Sequence, residues 1–209
     1  GLLLRTHGGA VLAERPELVI PHLARTAENQ AGKERMALAA AKRVQDGEHV
    51  LLDAGSSTLA VARALRGREV TLVTNSVPIA MEMAGADDGA SGVIVLGGSL
   101  RRSSLALMGP LARQQLASMH CDRAFLGTSG FDPRTGFCCQ TLIEAETKRA
   151  MANAAREVIV LADQVKFGRT AFAPFCPLKE LDVLITDAAP PKVVTDALKK
   201  AGVEVIVAA

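Results

Sequence analysis

The sequence contains no tryptophan and no tyrosine, and aromatic residues make up only 3% of it. Proteins that bind single-stranded nucleic acid stack bases on aromatic side chains, so this scarcity argues against such a surface. The formal net charge is also small, +2 at pH 7. Composition therefore gives no indication of direct nucleic-acid binding, although a local basic patch would be compatible with it.

Paired cysteines and long apolar runs are lacking as well. The four cysteines form no C-x-x-C pattern, which is typical of buried free thiols in a reducing compartment. The four histidines are scattered along the chain, so we expect no metal site, and no cofactor either. No apolar run approaches about 20 residues and there is no signal peptide, so we expect a cytoplasmic protein without a membrane segment.

Short apolar runs alternate with helical patterns from Thr26 onward. Seven runs read as strands, at 50–53, 69–75, 91–98, 122–130, 157–163, 181–187 and 203–208. Helical patterns lie between them, and one further helix over 27–46 precedes the first strand. Strands that alternate with helices indicate βαβ units, and continuous apolar runs indicate strands covered on both faces. The sequence therefore predicts a single α/β domain with a mostly parallel, Rossmann-like sheet and helices on both faces.

Polar and small residues follow nearly every predicted strand. They form five clusters, at 53–58, 74–76, 97–99, 127–130 and 163–168. Short loops need such residues in any case. However, a doubly wound sheet binds its ligand outside the carboxyl ends of its strands, where the strand order switches. Five clusters at that edge predict a small-molecule site.

The turn after the first strand, in the stretch LLDAGSSTLAVARAL, could hold an anion. Backbone N–H groups at a helix N-terminus lack partners within the helix and form the positive end of its dipole. Gly55 would let an anion approach the backbone, and Ser56, Ser57 and Thr58 would add hydroxyl donors. A simple N-cap needs only one of them. We expect the anion to be phosphate, although the turn matches neither the P-loop pattern nor G-x-G-x-x-G.

Charged residues elsewhere could complete the site. Lys166, in the loop after the fifth strand, is a candidate partner for the phosphate. Glu144 and Lys148 have the spacing of an ordinary surface ion pair, or they face the pocket and contact sugar hydroxyls. Arg101 and Arg102 follow the Gly97–Gly98 turn, and one of them could reach the site; Arg102 is our candidate.

Several motifs, in order along the chain, resemble those of one family. They are HGGAV, DAGSSTLAVARAL, VTNSVPIAMEMA, VIVLGGSLRRSSLALMGPLA, DRAFLGTSGFD and EAETKRAMANAAREVIVLADQVKFG. Together they are similar to the C-terminal sensor domain of DeoR-family transcriptional repressors. The resemblance implies a fold like that of ribose-5-phosphate isomerase and glucosamine-6-phosphate deaminase. It also implies a domain that binds a phosphorylated sugar or related metabolite and thereby releases the repressor from DNA.

The resemblance further implies a domain organisation and partners. Residues 1–22 would be the end of a winged-helix domain and a linker, and 23–209 the effector-binding sensor domain. Operator DNA would bind an N-terminal winged helix-turn-helix that this chain lacks. The protein would be a homo-oligomer, a dimer or a tetramer.

The motifs also imply site residues, carried over one by one. The phosphate would lie on Ser56, Ser57 and Thr58 with Lys166 opposite, and Glu144 and Lys148 would line the sugar end. With the strand-end candidates, the predicted effector-binding residues are Asp53, Gly55, Ser56, Ser57, Thr58, Asn75, Ser76, Gly97, Gly98, Arg102, Gly127, Gly130, Glu144, Lys148 and Lys166. The sequence departs from the family at Ala54, where Ser or Thr is common. It also departs at Cys138-Cys139-Gln140, in a loop expected to face the sugar.

The alternative is a sugar-phosphate isomerase or deaminase on the same scaffold. Such chemistry needs a carboxylate as general base. Where the similar isomerases carry two aspartates, this chain has Leu126 and Ser129, and Asp132 is the one carboxylate between Leu126 and Gln140. We therefore expect a pocket that binds without catalysing. A pure assembly module is disfavoured by the polar strand ends.

Overall fold

A sheet of seven parallel strands forms the centre of the fold, in a computed structural model that describes residues 3–6, 9–12, 28–85 and 92–208. Along the chain the strands are β1 (Leu3–Thr6), β2 (Gly9–Leu12), β3 (His49–Leu52), β4 (Thr71–Thr74), β5 (Val93–Val95), β6 (Ser99–Arg101), β7 (Ala106–Met108), β8 (Cys121–Gly127), β9 (Gly130–Asp132), β10 (Gly136–Cys139), β11 (Ala155–Leu161), β12 (Ala173–Cys176), β13 (Val183–Thr186) and β14 (Glu204–Val207). The helices are α1 (Gln30–Ala41), α2 (Ser56–Ala64), α3 (Val77–Ala84), α4 (Pro110–Leu116), α5 (Leu142–Asn153) and α6 (Lys192–Ala201).

The strand order of the main sheet is β14-β13-β11-β8-β3-β4-β5, and every neighbouring pair is parallel. The chain builds outward from β3 to β5 in one direction and from β8 to β14 in the other. The order therefore switches between β3 and β8, which is where a doubly wound sheet binds its ligand. All seven predicted strands belong to this sheet, and the predicted fold class is confirmed.

Two apolar cores cover the two faces of the sheet. Because side chains alternate along a strand, Leu51 packs into one core while its neighbours Val50 and Leu52 pack into the other. Helices α1, α2 and α3 cover one face, and α4, α5 and α6 cover the other. Both faces are thus buried, which explains why the strands read as continuous apolar runs rather than alternating ones.

The helix predicted over 27–46 is shorter in the structure. It ends at Ala41: the Lys42 amide still bonds four residues back, but the amides of Arg43 and Val44 bond only three residues back. This tighter turn still buries Val44, so the predicted apolar face of Met36, Ala40 and Val44 is present. Pro110 stands at the first turn of α4, as predicted.

Three small antiparallel sheets lie outside the predicted pattern. Strands β6 and β7 form a hairpin, β9, β10 and β12 form a three-stranded sheet, and β1 pairs with β2 from Leu3–Leu12 to Thr6–Gly9. Of segment 1–22, only β1 and β2 are described; the predicted linker lies outside the described residues. Among the helices described here, none is long and apolar enough to cross a membrane.

Candidate functional site

Asp53 and Gly127 lie side by side at the switch point, because Asp53 follows β3 and Gly127 ends β8. The Asp53 carboxylate accepts a hydrogen bond from the Gly127 amide at 3.2 Å and pairs with the Lys148 ammonium. Lys148, on α5, also donates to the Gly127 carbonyl at 2.9 Å, and its Nζ lies 5.0 Å from the ring centroid of Phe175. The pair thus ties α5 to both strands of the switch point.

The side chains of Asp53 and Lys148 are each only 4% exposed. Burial raises the pKa of the Asp53 carboxyl, and the charge of Lys148 opposes that rise. Burial alone would lower the pKa of Lys148, but Asp53 and Glu144 outweigh it and hold that pKa above its usual value. Lys148 therefore keeps its charge inside the protein.

Two adjoining compartments open at this edge of the sheet, and Lys148 stands between them. The α2 compartment spans about 570 Å³, partly open to solvent, and is lined among others by Gly55, Ser56, Ser57, Thr128, Asp163 and Lys166. The hairpin compartment spans about 420 Å³, a volume that includes space open to solvent, and is lined among others by Asn75, Arg101, Ser104, Met108, Gln140 and Thr147. Four residues line both compartments: Ala54, Ser129, Glu144 and Lys148.

The N-terminus of α2 faces the α2 compartment. Ser56 and Ser57 are the first two residues of the helix, and both are partly exposed to the compartment. Thr58 differs from the prediction: its side chain is fully buried, and its hydroxyl donates to the Gly55 carbonyl at 3.0 Å. Thr58 therefore stabilises the turn, while Ser56 and Ser57 present hydroxyls to the cavity.

Lysines face this helix end across the α2 compartment. Lys166 lines the cavity as predicted, and its Nζ lies 4.0 Å from Asp163 Oδ1. Lys33, on α1, is a second lysine of the same wall, and it donates to the Glu28 carbonyl. Burial raises the pKa of Asp163, and the charge of Lys166 opposes that rise. Amides, hydroxyls and lysines thus converge at this helix end, and the acidic residues Glu28, Glu144 and Asp163 line the same compartment.

Two ion pairs resolve the alternatives left open for Glu144 and Lys148. Glu144 does not pair with Lys148 across the helix turn; it accepts from Arg101 Nη1 at 2.7 Å, and Lys148 pairs with Asp53. Arg101 rather than Arg102 reaches the site, because Arg101 is the last residue of β6 and Arg102 already lies in the hairpin turn. Arg102, the sequence candidate, is exposed to solvent.

Four other predicted residues line neither compartment. Ser76 is buried and caps α3 by accepting from the Ile79 amide. Gly97 donates to Gln115 Oε1 at 2.7 Å, and an added Cβ at Gly98 would lie 2.6 Å from the Met108 carbonyl oxygen. Gly130 packs in the same way against the backbone at Arg169.

Cysteine placement differs from the prediction. Cys138 and Cys139 do not form a loop facing a ligand; they lie buried in β10, and only Gln140 of that stretch lines a compartment. Burial raises the pKa of Cys139 to about 12, so its thiol is not reactive at neutral pH.

Several lining residues are not among the predicted effector-binding residues. They are Glu28, Lys33, Ala54, Arg101, Ser104, Ala106, Met108, Thr128, Ser129, Gln140, Thr147, Leu161 and Asp163. Thr128, Ser129 and Asp163 belong to the strand-end clusters, Arg101 is the other of the two candidate arginines, and Gln140 belongs to the loop expected to face the sugar. The lining residues of β7 and α5 could not have been named, because they reach the site through tertiary contacts. In the described ranges, no three His, Cys, Asp or Glu side chains group as a metal site would require.

Fold and site together define an α/β ligand-binding domain, and comparison with known proteins gives its family. Residues 28–188 match the family described as DeoR C terminal sensor domain. The chain is 32% identical to the HTH-type transcriptional repressor GlcR of Bacillus subtilis, over 98% of this chain and 78% of that protein. It is 34% identical to the HTH-type transcriptional regulator GlpR of Haloferax volcanii, over 99% and 80%. The chain belongs to the DeoR family of transcriptional regulators, as a sensor domain.

Solved structures show related folds. The eIF2B beta subunit of Chaetomium thermophilum matches with a TM-score of 0.53 at 15% identity, over 81% of this chain and 53% of that one. Ribose 5-phosphate isomerase A of Methanocaldococcus jannaschii matches with a TM-score of 0.47 at 20% identity, over 66% and 55%.

Family membership makes the chain a ligand-sensing domain of a transcriptional regulator and points away from an enzyme.

Proposed function

We propose that this domain binds a phosphorylated sugar or polyol and that binding controls operator recognition. The observation that carries the proposal is the α2 compartment, where the N-terminus of α2, the hydroxyls of Ser56 and Ser57, and Lys166 converge. Unpaired amides at a helix start, together with cations, are a general phosphate site. The domain is also 31% identical, over 94% of its length, to a protein named glycerol-3-phosphate regulon repressor in Escherichia coli.

The rival function, isomerisation of the same ligands, is less well supported by the site. Leu126, where similar isomerases carry an aspartate, is fully buried in an apolar core. Two carboxylates at the centre of the site are engaged, Asp53 with Lys148 and Glu144 with Arg101. A general base must be free to take a proton from the substrate. Turnover of ribose 5-phosphate at enzymatic rates would overturn the sensor proposal.

A thermal-shift screen of sugar phosphates tests the phosphate site. A ligand at a hundredfold excess over its Kd stabilises the native state by about 2.7 kcal/mol. We expect at least one sugar phosphate to raise the melting temperature, and its unphosphorylated sugar not to. In the double variant Ser57→Ala/Lys166→Ala we expect affinity to fall about a hundredfold, since hydrogen bonds to charged groups contribute about 1.5–3 kcal/mol each.

The matched control is Lys199→Ala, which removes an exposed lysine on α6. This variant should keep the full shift. A screen with no stabilising sugar phosphate, or a double variant that keeps the shift, would refute the phosphate site.

We also propose the wider organisation of the protein. Residues 1–22 would end a winged-helix domain that binds operator DNA, and 23–209 would form the sensor domain. The relatives named above are regulators longer than this chain, which supports this arrangement. We propose a homo-oligomer in the cytoplasm, because symmetric operators are bound by symmetric assemblies. Sedimentation equilibrium that returned the mass of a single chain would contradict the oligomer.

A further inference from the structure

The hairpin compartment contains two buried polar atoms without a partner. Asn75 is 1% exposed and Ser104 is 8% exposed, and both line the cavity. Among the described residues, Asn75 Oδ1 and Ser104 Oγ have no hydrogen-bond partner. Buried polar atoms in folded proteins are nearly always paired, so such atoms facing a cavity indicate a group that binds there.

Asn75 is held firmly in place. The Thr74 hydroxyl donates to the Leu52 carbonyl at 2.7 Å and accepts from the Ser76 amide at 3.1 Å, which orders the backbone on both sides of Asn75. The Asn75 carbonyl accepts from the Leu107 amide of β7 at 2.7 Å, so the hairpin that carries Ser104 is docked beside it. The backbone that carries Asn75 is therefore held in place beside the hairpin that carries Ser104.

The charges of this compartment are already balanced. Its ionisable lining residues are Asp53, Arg101, Glu144 and Lys148. They form two internal ion pairs, Asp53 with Lys148 and Arg101 with Glu144. A carboxylate or phosphate entering here would find both cations compensated, and burying a charge without a partner is strongly unfavourable.

The two compartments meet along a shared wall that includes Ser129 and Lys148. We infer that one elongated ligand extends from one compartment into the other, with its phosphate in the α2 compartment and an uncharged hydroxyl-bearing end against Asn75 and Ser104. A hydroxyl can donate to an amide oxygen and accept from an amide nitrogen, so it pairs with Asn75 in either orientation of the amide. The sensor thus selects phosphorylated sugars and polyols over sugar-acid phosphates and bisphosphates.

This inference rests on the proposed function, and matched ligand pairs test the two separately. The first two pairs are sorbitol 6-phosphate with 6-phosphogluconate, and ribitol 5-phosphate with 5-phosphoribonate. In each, a terminal hydroxymethyl group is replaced by a carboxylate. The third pair is fructose 6-phosphate with fructose 1,6-bisphosphate. Calorimetry on the full chain should show the hydroxyl-ended member binding at least about tenfold more tightly in every pair that binds.

Equal or tighter binding of the acid or bisphosphate would overturn the inference while leaving the proposed phosphate site intact. Absence of binding by all six ligands would overturn both, because it would remove the phosphate site itself. The two failures are therefore distinguishable.

Variants test whether Asn75 and Ser104 cause the preference for hydroxyl-ended ligands. Asn75→Leu keeps a similar volume but cannot hydrogen-bond, so the hydroxyl-ended ligand should bind at least about tenfold more weakly and its acid partner within about twofold of wild type. Ser104→Ala should reduce the same preference and serves where Asn75→Leu does not fold. Ser118→Ala, an exposed position after α4, is the control and should keep the preference. Full selectivity in both pocket variants would overturn the role of these residues.

Discussion

Asp53 and Lys148 form a buried ion pair at the switch point between β3 and β8. Each is recognisable in the sequence as a candidate, Asp53 at a strand end and Lys148 on a helix. Their pairing is not, because they are separated by 95 positions along the chain. In the structure, Lys148 is held in place by Asp53 and by the Gly127 carbonyl.

Removing Lys148 alone should therefore destabilise the domain. Lys148→Met leaves the Asp53 carboxylate buried without its cation, and breaking a buried pair on one side costs about 3–5 kcal/mol. The pKa of Asp53 is already raised by burial, so the variant should recover stability as the pH falls and Asp53 becomes protonated. Urea denaturation at pH 7 and pH 5 measures both effects.

Two further variants serve as comparisons for Lys148→Met. Asp53→Asn/Lys148→Met removes both charges and should be more stable than the single variant. Lys199→Met, at an exposed site on α6, should change stability by less than about 0.5 kcal/mol. A single variant as stable as wild type at pH 7 would show that the pair does not stabilise the fold.

The β6–β7 hairpin and the small β9-β10-β12 sheet are the elements that complete the site around the main sheet. Each strand has only three or four residues, too few to give a periodic pattern. The hairpin supplies Arg101 and Ser104 to one compartment, and Gln140 follows directly on β10. Sequence reasoning named Arg102 instead of Arg101 because, without the strand, it could not tell which side chain faces inward.

Gly136 is the position on which the turn between β9 and β10 depends. Its φ is +85°, and an added Cβ would overlap the Cys176 carbonyl on β12. Gly136→Ala should therefore lower the free energy of unfolding by at least about 2 kcal/mol, through strain at positive φ and separation of the strands. Thermal and urea denaturation measure the loss.

Gly168 provides the matched glycine control. An added Cβ there meets nothing within 4 Å among the described residues. Gly168→Ala should change stability by less than about 0.5 kcal/mol. If the two variants were equally stable, the turn at Gly136 would not be needed for this sheet.

At the scale of the whole molecule, one sheet with two apolar cores carries the stability. Strands β1 and β2 pair with each other in a separate two-stranded sheet rather than with the main sheet. This arrangement is consistent with the predicted boundary between residues 22 and 23, which remains a prediction.

Deleting residues 1–22 should therefore leave the rest of the domain folded. We expect the free energy of unfolding of residues 23–209 to lie within about 0.5 kcal/mol of that of the full chain, because the deleted segment would add nothing to the central sheet. Urea denaturation of both chains, with calorimetry of a ligand found by the screen, measures stability and binding. A large loss of stability would mean that the segment belongs to the sensor domain.

The sequence by itself determined the fold class, all seven strands of the main sheet and the turn at Ser56 and Ser57 that lines the candidate site. These features depend on local pattern: continuous apolar runs, strand–helix alternation and small polar residues at strand ends. Only the tertiary structure decided which polar groups meet. In the structure, Thr58 is buried and bonded to Gly55, and Arg101 rather than Arg102 contacts Glu144. Asn75 and Ser104 line one cavity. These last two groupings join residues far apart in the chain, and no local pattern encodes them.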